Sequence, residues 1–235
     1  MKYKSRAISL TYIKQGESSI ISKILTEEKG LQTFIVKGVR SKKSQKKISY
    51  FEPLKLIDIN AEFKSQKTLQ YLKEVTIVKN FDHTKNKMTK HFIAFFSAEV
   101  ASRVLQENEK NIGLFNFMWH TACNLYENEK TDPNFALKYL LDLSAFLGFY
   151  PSKTKKNMPF FNMENGEFSE KKELQNISLD KEKSDYLKAL IENQHVSINQ
   201  KKKTELLKDF LRYYKLHHYN LDNIKSHLVI ESLRK

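Results

Sequence analysis

The sequence is short of the features on which most catalytic and membrane functions are built. It holds one cysteine, Cys123, which excludes an internal disulfide and any metal site made of cysteines alone. Within Phe117-Met118-Trp119-His120-Thr121-Ala122-Cys123 that cysteine reads as a small buried packing residue. No Gly-rich phosphate loop, HExxH or GxSxG motif occurs. No apolar run approaches the roughly 20 residues of a membrane span. The stretch Ala7–Ile13 is broken by Ser9, Thr11 and Tyr12 and followed by Lys14, so it is not expected to be a signal peptide. The expectation is a soluble, cytoplasmic protein with no membrane contact.

Acidic residues are also scarce. Against 41 Lys and Arg stand 27 Asp and Glu, a net charge of +14. Charge of this size favours polyanionic partners and says little about fold. It is unevenly placed: residues 1–80 carry 17 cations and 7 acids, residues 81–235 carry 24 and 20. Sixteen Phe and eleven Tyr supply enough buried area for a core although the apolar fraction is 40%. Length alone allows one large domain or two modest ones.

Ser5–Ile13, Ser18–Leu25 and Leu31–Val36 are short, rich in β-branched residues and separated by Gly16 and Gly30. Two further strands are expected at Leu54–Phe63 and Thr68–Val78. Five strands in about 75 residues suggest a small closed barrel, since closure removes unpaired edges. From about residue 89 the apolar period becomes helical, through Phe92, Phe96, Val100 and Val104. Helices follow over Ile112–Tyr126, from Asp132-Pro133 (N-cap, then first helical position) to Gly148, near Asp180–Asn193, over Asn199–His217 and near Ile224–Leu233. The expected architecture is α+β and multidomain, with a barrel over residues 1–80 and an all-α domain over 81–235. An irregular polar segment at 151–176 interrupts the helices.

The densest chemical signal is Lys37-Gly38-Val39-Arg40-Ser41-Lys42-Lys43-Ser44-Gln45-Lys46-Lys47. Lys37 ends the third strand; Arg40, Lys42, Lys43, Lys46 and Lys47 follow closely. Gly38 lets the backbone approach a phosphate. With Phe34 before it and Tyr50 and Phe51 after it, the segment has the ingredients of a single-strand platform, cations for the backbone and rings for the bases. A solvated loop that keeps the protein soluble is the plainer alternative. Asp58, Glu62 and Lys64 share one strand face in the order used by metal-dependent nucleases, but such sites need a further acid, and outward polar residues explain the pattern equally well. Adjacent His217 and His218 cannot both reach one metal from a helix.

Ala7-Ile8-x-Leu10, Gly16-Glu17-Ser18-Ser19-x-Ile21, Leu25-Thr26-x-x-x-Gly30, Val36-Lys37-Gly38-x-Arg40 and Phe51-Glu52-Pro53-Leu54 together resemble the bacterial DNA repair and recombination family RecO. So do the pattern Phe135-Ala136-Leu137-x-x-Leu140-Leu141-x-Leu143-x-x-Phe146-Leu147-Gly148-Phe149-Tyr150-Pro151 and the late Ile224-Lys225-Ser226. The resemblance implies an OB-fold N-terminal barrel and a helical C-terminal domain, with no enzymatic activity and no cofactor. It implies binding of single- and double-stranded DNA and annealing of complementary strands. The implied partners are RecR and the acidic C-terminal tail of single-stranded DNA-binding protein, in loading RecA at the nucleoid. Only Lys37, Gly38 and Arg40 carry over as DNA-facing residues; Lys42, Lys43, Lys46 and Lys47 rest on charge. A passive single-strand binder and a nuclease using Asp58 and Glu62 are the alternatives. Many members of the family carry a four-cysteine zinc site after the Tyr-x-Pro turn; here Pro151–Glu170 has no cysteine. Phe160, Phe161 and Phe168 are therefore expected to pack onto the helices in its place. Arg103 and Arg212 are candidate cations for docking the acidic tail.

Overall fold

Alternating apolar residues build the first part of the chain. In the computed structural model, which describes residues 1–39, 47–78, 87–152, 158–174 and 177–222 with 224 and 226, five strands form a closed barrel. They are β1 (Lys2–Gln15), β2 (Ser19–Thr26), β3 (Gly30–Val36), β4 (Leu56–Glu62) and β5 (Leu69–Ile77), in spatial order β1-β2-β3-β5-β4. The long β1 pairs with β2 on one side and β4 on the other. A register shift between Ser9 and Thr11 bends it so that one strand can serve both neighbours. The ring is completed by a short parallel contact of β3 with β5, Thr33 to Leu69 through Ile35 to Tyr71. The strands thus lie where the sequence places them.

Inward-facing Tyr3, Ala7, Ile20, Ile24, Phe34, Val36, Ile57, Ile59 and Leu72 fill the barrel, with Val39 and Phe51 packed against them. Phe34 and Phe51 are wholly buried, each worth roughly 1.5–3 kcal/mol of transfer free energy. Between β3 and β4, a 3-10 turn at Ile48–Phe51 leads into Glu52-Pro53-Leu54. Leu54 adopts φ 55°, held there by complete burial and by its N–H donating to Ser9 O at 2.8 Å.

Helices α1 (Lys87–Val104) and α2 (Ile112–Glu127) pack with the barrel in one compact unit, Met1–Thr131. The link between them is bonded to β3. Leu31 bridges Glu107, Asn108 N–H donates to Leu31 O (3.0 Å) and Gln32 Nε2 donates to Asn108 Oδ1 (3.0 Å). Gly30 makes the approach possible: its φ is +65°, and a Cβ there would lie 2.0 Å from Glu109 O. Lys90, buried on α1, donates to the carbonyls of Tyr126 and Asn128 (3.3 and 2.7 Å) and so caps the end of α2. Cys123 on α2 is half-buried, not the fully buried residue expected, because it sits at the edge of the apolar stripe formed by Met118, Ala122 and Leu125.

The second compact unit, Asp132–Lys235, contains α3 (Phe135–Phe146), β6 (Phe160–Asn162), β7 (Glu167–Ser169), β8 (Ser178–Leu179), α4 (Lys181–Ile191) and α5 (Gln200–Leu216). The start of α3 is two residues later than Asp132-Pro133 implied. Asp132 instead forms a turn ahead of the helix, its side chain accepting from Asn134 N–H (2.7 Å) and its carbonyl from Phe135 N–H (3.0 Å). Asp180 and Asn199 are N-caps, accepting from Lys183 and Lys202 N–H at 2.9 Å each. The polar segment expected to be irregular holds β6 and β7, which join β8 just beyond it in a three-stranded sheet of order β7-β6-β8. Phe161 and Phe168 are buried there, with ring centroids 5.0 Å apart, and Phe161 meets Tyr213 of α5 edge-on at 5.5 Å. Phe160 is half-buried. The helix expected near Ile224–Leu233 lies outside the described residues, except 224 and 226.

Candidate nucleic-acid interface

The outer face of the barrel is covered along part of its length and open along the rest. Ile8, Leu10 and Leu25 alternate with inward residues and yet are buried, in the region where α1 packs on β1. Further along the same strands the cover ends. Ile13 is 64% exposed and Tyr71 41% exposed, with half-buried Ile21 and Ile35 between them. These four are direct cross-strand partners: Ile13 with Ile21, Ile21 with Ile35, Ile35 with Tyr71. The result is an apolar row of about 14 Å across four strands, taking about 4.8 Å per strand.

Cations border this row. The β4–β5 loop presents Lys64 and Lys67, both exposed; exposed Lys14 ends β1 next to Ile13 but with the opposite parity, since it pairs with inward Ile20. Buried Gln70 fixes the second loop: its Oε1 accepts Lys64 N–H (2.8 Å), while its Nε2 donates to Lys64 O (3.0 Å) and to Lys67 O. Lys37 is exposed at the outward end of β3, followed by Gly38 at φ +72°. Exposed Lys47 re-enters the fold just before the 3-10 turn. Buried Val39 and Phe51 pin the two stems of the basic segment. Arg40, Lys42, Lys43 and Lys46 lie outside the described residues.

The aromatic part of the expected platform needs correction. Phe34 is 0% exposed and points into the barrel; Phe51 is equally buried, and Tyr50 packs half-buried against the same core. Strand parity is the reason. Lys37 faces outward, so Ile35 and Thr33 do too, which turns Phe34 and Val36 inward. The ring that this face does present is Tyr71, which sequence reasoning missed along with Ile13, Lys64 and Lys67. The alternation Leu69-Gln70-Tyr71-Leu72 held the clue, but which parity faced out depended on the partner strand.

On β1, β4 and β5 another part of the barrel surface forms a cleft of about 490 Å³ lined by Arg6, Glu27, Glu28, Asp58, Asn60 and Glu74 among others. Arg6 binds Glu27 through two hydrogen bonds (2.9 and 2.6 Å) and lies over the rings of Trp119 and Phe115 at 4.9 and 5.6 Å. The Arg6 hydrogen bond holds the Glu27 carboxyl below its ordinary range. A depressed carboxylate stabilises the fold above its unfolded-state pKa and loses that contribution as pH falls through the folded value. Wild type should therefore lose more stability than Glu27→Gln below the usual glutamate range, measured as Tm against pH; parallel profiles would contradict this.

The residues weighed for a nuclease are not assembled. Glu62 is paired with Lys73 at 2.7 Å, Asp58 faces the cleft, and Lys64 belongs to the loop beyond β4. Among the described residues no group of three or more His, Cys, Asp or Glu is placed to hold a metal. His217 stacks on Phe149 (4.7 Å, 6°) with Nε2 3.2 Å from Met163 O, while His218 is exposed at φ +69°. Arg103 and Arg212 lie beside Glu99 and Asp209 at 3.7 and 3.8 Å. No described helix is long and apolar enough to cross a membrane.

Comparison with known proteins finds relatives along the whole chain. The family model described as recombination protein O N terminal matches residues 1–81, and that described as recombination protein O C terminal matches residues 86–227. A DNA repair protein RecO of Flavobacterium psychrophilum is 34% identical over 241 aligned positions, covering 100% of this chain and 99% of the relative. Those of Azobacteroides pseudotrichonymphae and Phocaeicola vulgatus are each 30% identical, covering 99% of both chains.

Proposed function

The chain belongs to the RecO family of DNA repair proteins, and from that premise we propose that it binds single- and double-stranded DNA and anneals complementary strands. With RecR it helps load RecA on DNA coated by single-stranded DNA-binding protein, whose acidic tail it engages. No covalent step is assigned to it, and its work is that of a mediator. The observation that carries the reading is the open apolar row Ile13–Ile21–Ile35–Tyr71, bordered by Lys37, Lys64 and Lys67. Such a surface suits a single strand: the row meets bases, Tyr71 stacks on one of them, and the cations follow the phosphates. Lys37, Arg40, Lys42, Lys43, Lys46 and Lys47 supply further charge, and Gly38 lets the backbone approach a phosphate. Tyr50 supports their stem and is not assigned a base.

The test is a fluorescence annealing assay with complementary oligonucleotides. The protein should accelerate annealing without magnesium. Inhibition or no effect would favour a passive single-strand binder, and magnesium-dependent shortening of the product would favour a nuclease. Tyr71→Ala should weaken single-strand binding by roughly 5- to 150-fold, the equivalent of about 1–3 kcal/mol for one stacked base, with Tm nearly unchanged because the ring is largely outside the core. Unaltered affinity would remove Tyr71 from the interface.

A further inference from the structure

Residues 81–235 carry a surplus of only four positive charges, and α5 by itself, with six cations and two acids, carries a surplus of the same size. The placement on that helix is ordered. Lys201, Lys208, Arg212 and Lys215 are separated by seven, four and three residues and are all exposed. At 100° per residue they fall within about 60° of one line, spread over about 21 Å of helix. Leu206, Leu207, Phe210, Tyr213 and Tyr214 occupy the opposite side and are buried.

The acids near this helix are largely engaged on its flanks. Asp209, itself buried, binds Lys183 at 2.7 Å, and Glu182 binds Lys202 at 2.7 Å. Arg212 is 3.8 Å from Asp209, and Lys215 meets Asp222 at 2.6 Å in an exposed pair. The side chains of Lys201 and Lys208 make no hydrogen bond or ion pair among the described residues. Exposed pairs are worth little in water, so the line remains available to a stronger polyanion.

We propose that this exposed face of α5 is a second nucleic-acid surface, which holds a phosphate backbone without reading bases. This rests on the DNA-binding reading above and adds a site to it. The line contains no exposed apolar residue that could receive a hydrophobic anchor; Thr204 and Glu205 lie beside it. An acidic peptide with an apolar terminus wants a recess as well as charge, and a membrane wants apolar side chains to insert. A phosphate backbone needs neither. Cationic surfaces on both compact units give annealing a physical basis, since two mutually repelling strands must be neutralised together.

The test uses the full chain carrying Lys201→Glu and Lys208→Glu, with Tyr71→Ala as the barrel comparison. Duplex affinity of the α5 variant should fall about tenfold or more at low salt, and its log–log salt slope should become shallower by about 2, one unit for each lost phosphate contact. Annealing should slow, while Tm stays put and single-strand affinity changes much less than in Tyr71→Ala. If duplex affinity and annealing are unchanged in the α5 variant while Tyr71→Ala impairs binding, the α5 site is rejected and the barrel reading stands. If wild type binds no DNA, both fail. Loss of an acidic, hydrophobic-tailed peptide with DNA binding intact would overturn the proposal in favour of peptide docking.

Discussion

Gly30→Ala should cost this protein about 2–5 kcal/mol of stability, combining about 1–2 for a left-handed residue with a side chain and about 1–3 for overpacking. Two features coincide at this position. Its φ is +65°, and an added Cβ would sit 2.0 Å from the Glu109 carbonyl oxygen, so backbone must move. That carbonyl belongs to the α1–α2 link, bonded to β3 through Leu31, Gln32 and Asn108. Relief would push the link from the sheet and strain those bonds together. Gly16→Ala is the internal comparison: φ is +59°, but nothing lies within 4 Å of its Cβ. Only the conformational cost applies there. By thermal unfolding, Gly30→Ala should therefore melt well below Gly16→Ala, with faster hydrogen exchange in Leu105–Asn111. Equal melting temperatures would mean that the close approach carries no energy.

This glycine also shows where sequence reasoning ends. Gly30 was legible as a turn residue because it separates two β-branched runs. That α1 and α2 would be tied to the barrel at that turn was not legible, since the partner atoms lie almost eighty residues away and carry no periodic signal. The strands were readable because alternation and turn residues agree locally, and the longer helices because a 3.6 period persists for four turns. The sheet β6–β8 escaped because strands of two or three residues cannot establish a period. At the candidate interface, charge was readable and orientation was not. Lys37 could be placed at the end of β3, but whether Phe34 faced the core or the solvent depended on the closure of the barrel. Composition favours a platform with any nearby ring, whereas strand parity assigns Phe34 to the core and leaves Tyr71 outside.

Phe161→Ala tests the other long-range expectation, that aromatic packing anchors the segment after Pro151, which has no cysteines to hold a zinc ion. Phe161 is 1% exposed, lies between Phe168 and Tyr213, and pairs through its backbone with both β7 and β8. Its N–H donates to Ser184 Oγ at 3.0 Å, joining the sheet to α4. Tyr213 continues the cluster to Phe149, contacting its ring edge-on at 5.3 Å and donating its hydroxyl to the Phe149 carbonyl. Truncation would open a cavity at the centre of this arrangement. The expected loss is about 3–5 kcal/mol, or roughly 6–20 °C in Tm at about 2–4 °C per kcal/mol for a chain of this size. Proteolysis should then begin within 158–179. Phe160→Ala, at a half-buried neighbouring position, should cost much less. A chelator should leave wild-type Tm where it is. A small effect of Phe161→Ala, or a large effect of the chelator, would show that something other than aromatic packing holds this segment to α4 and α5.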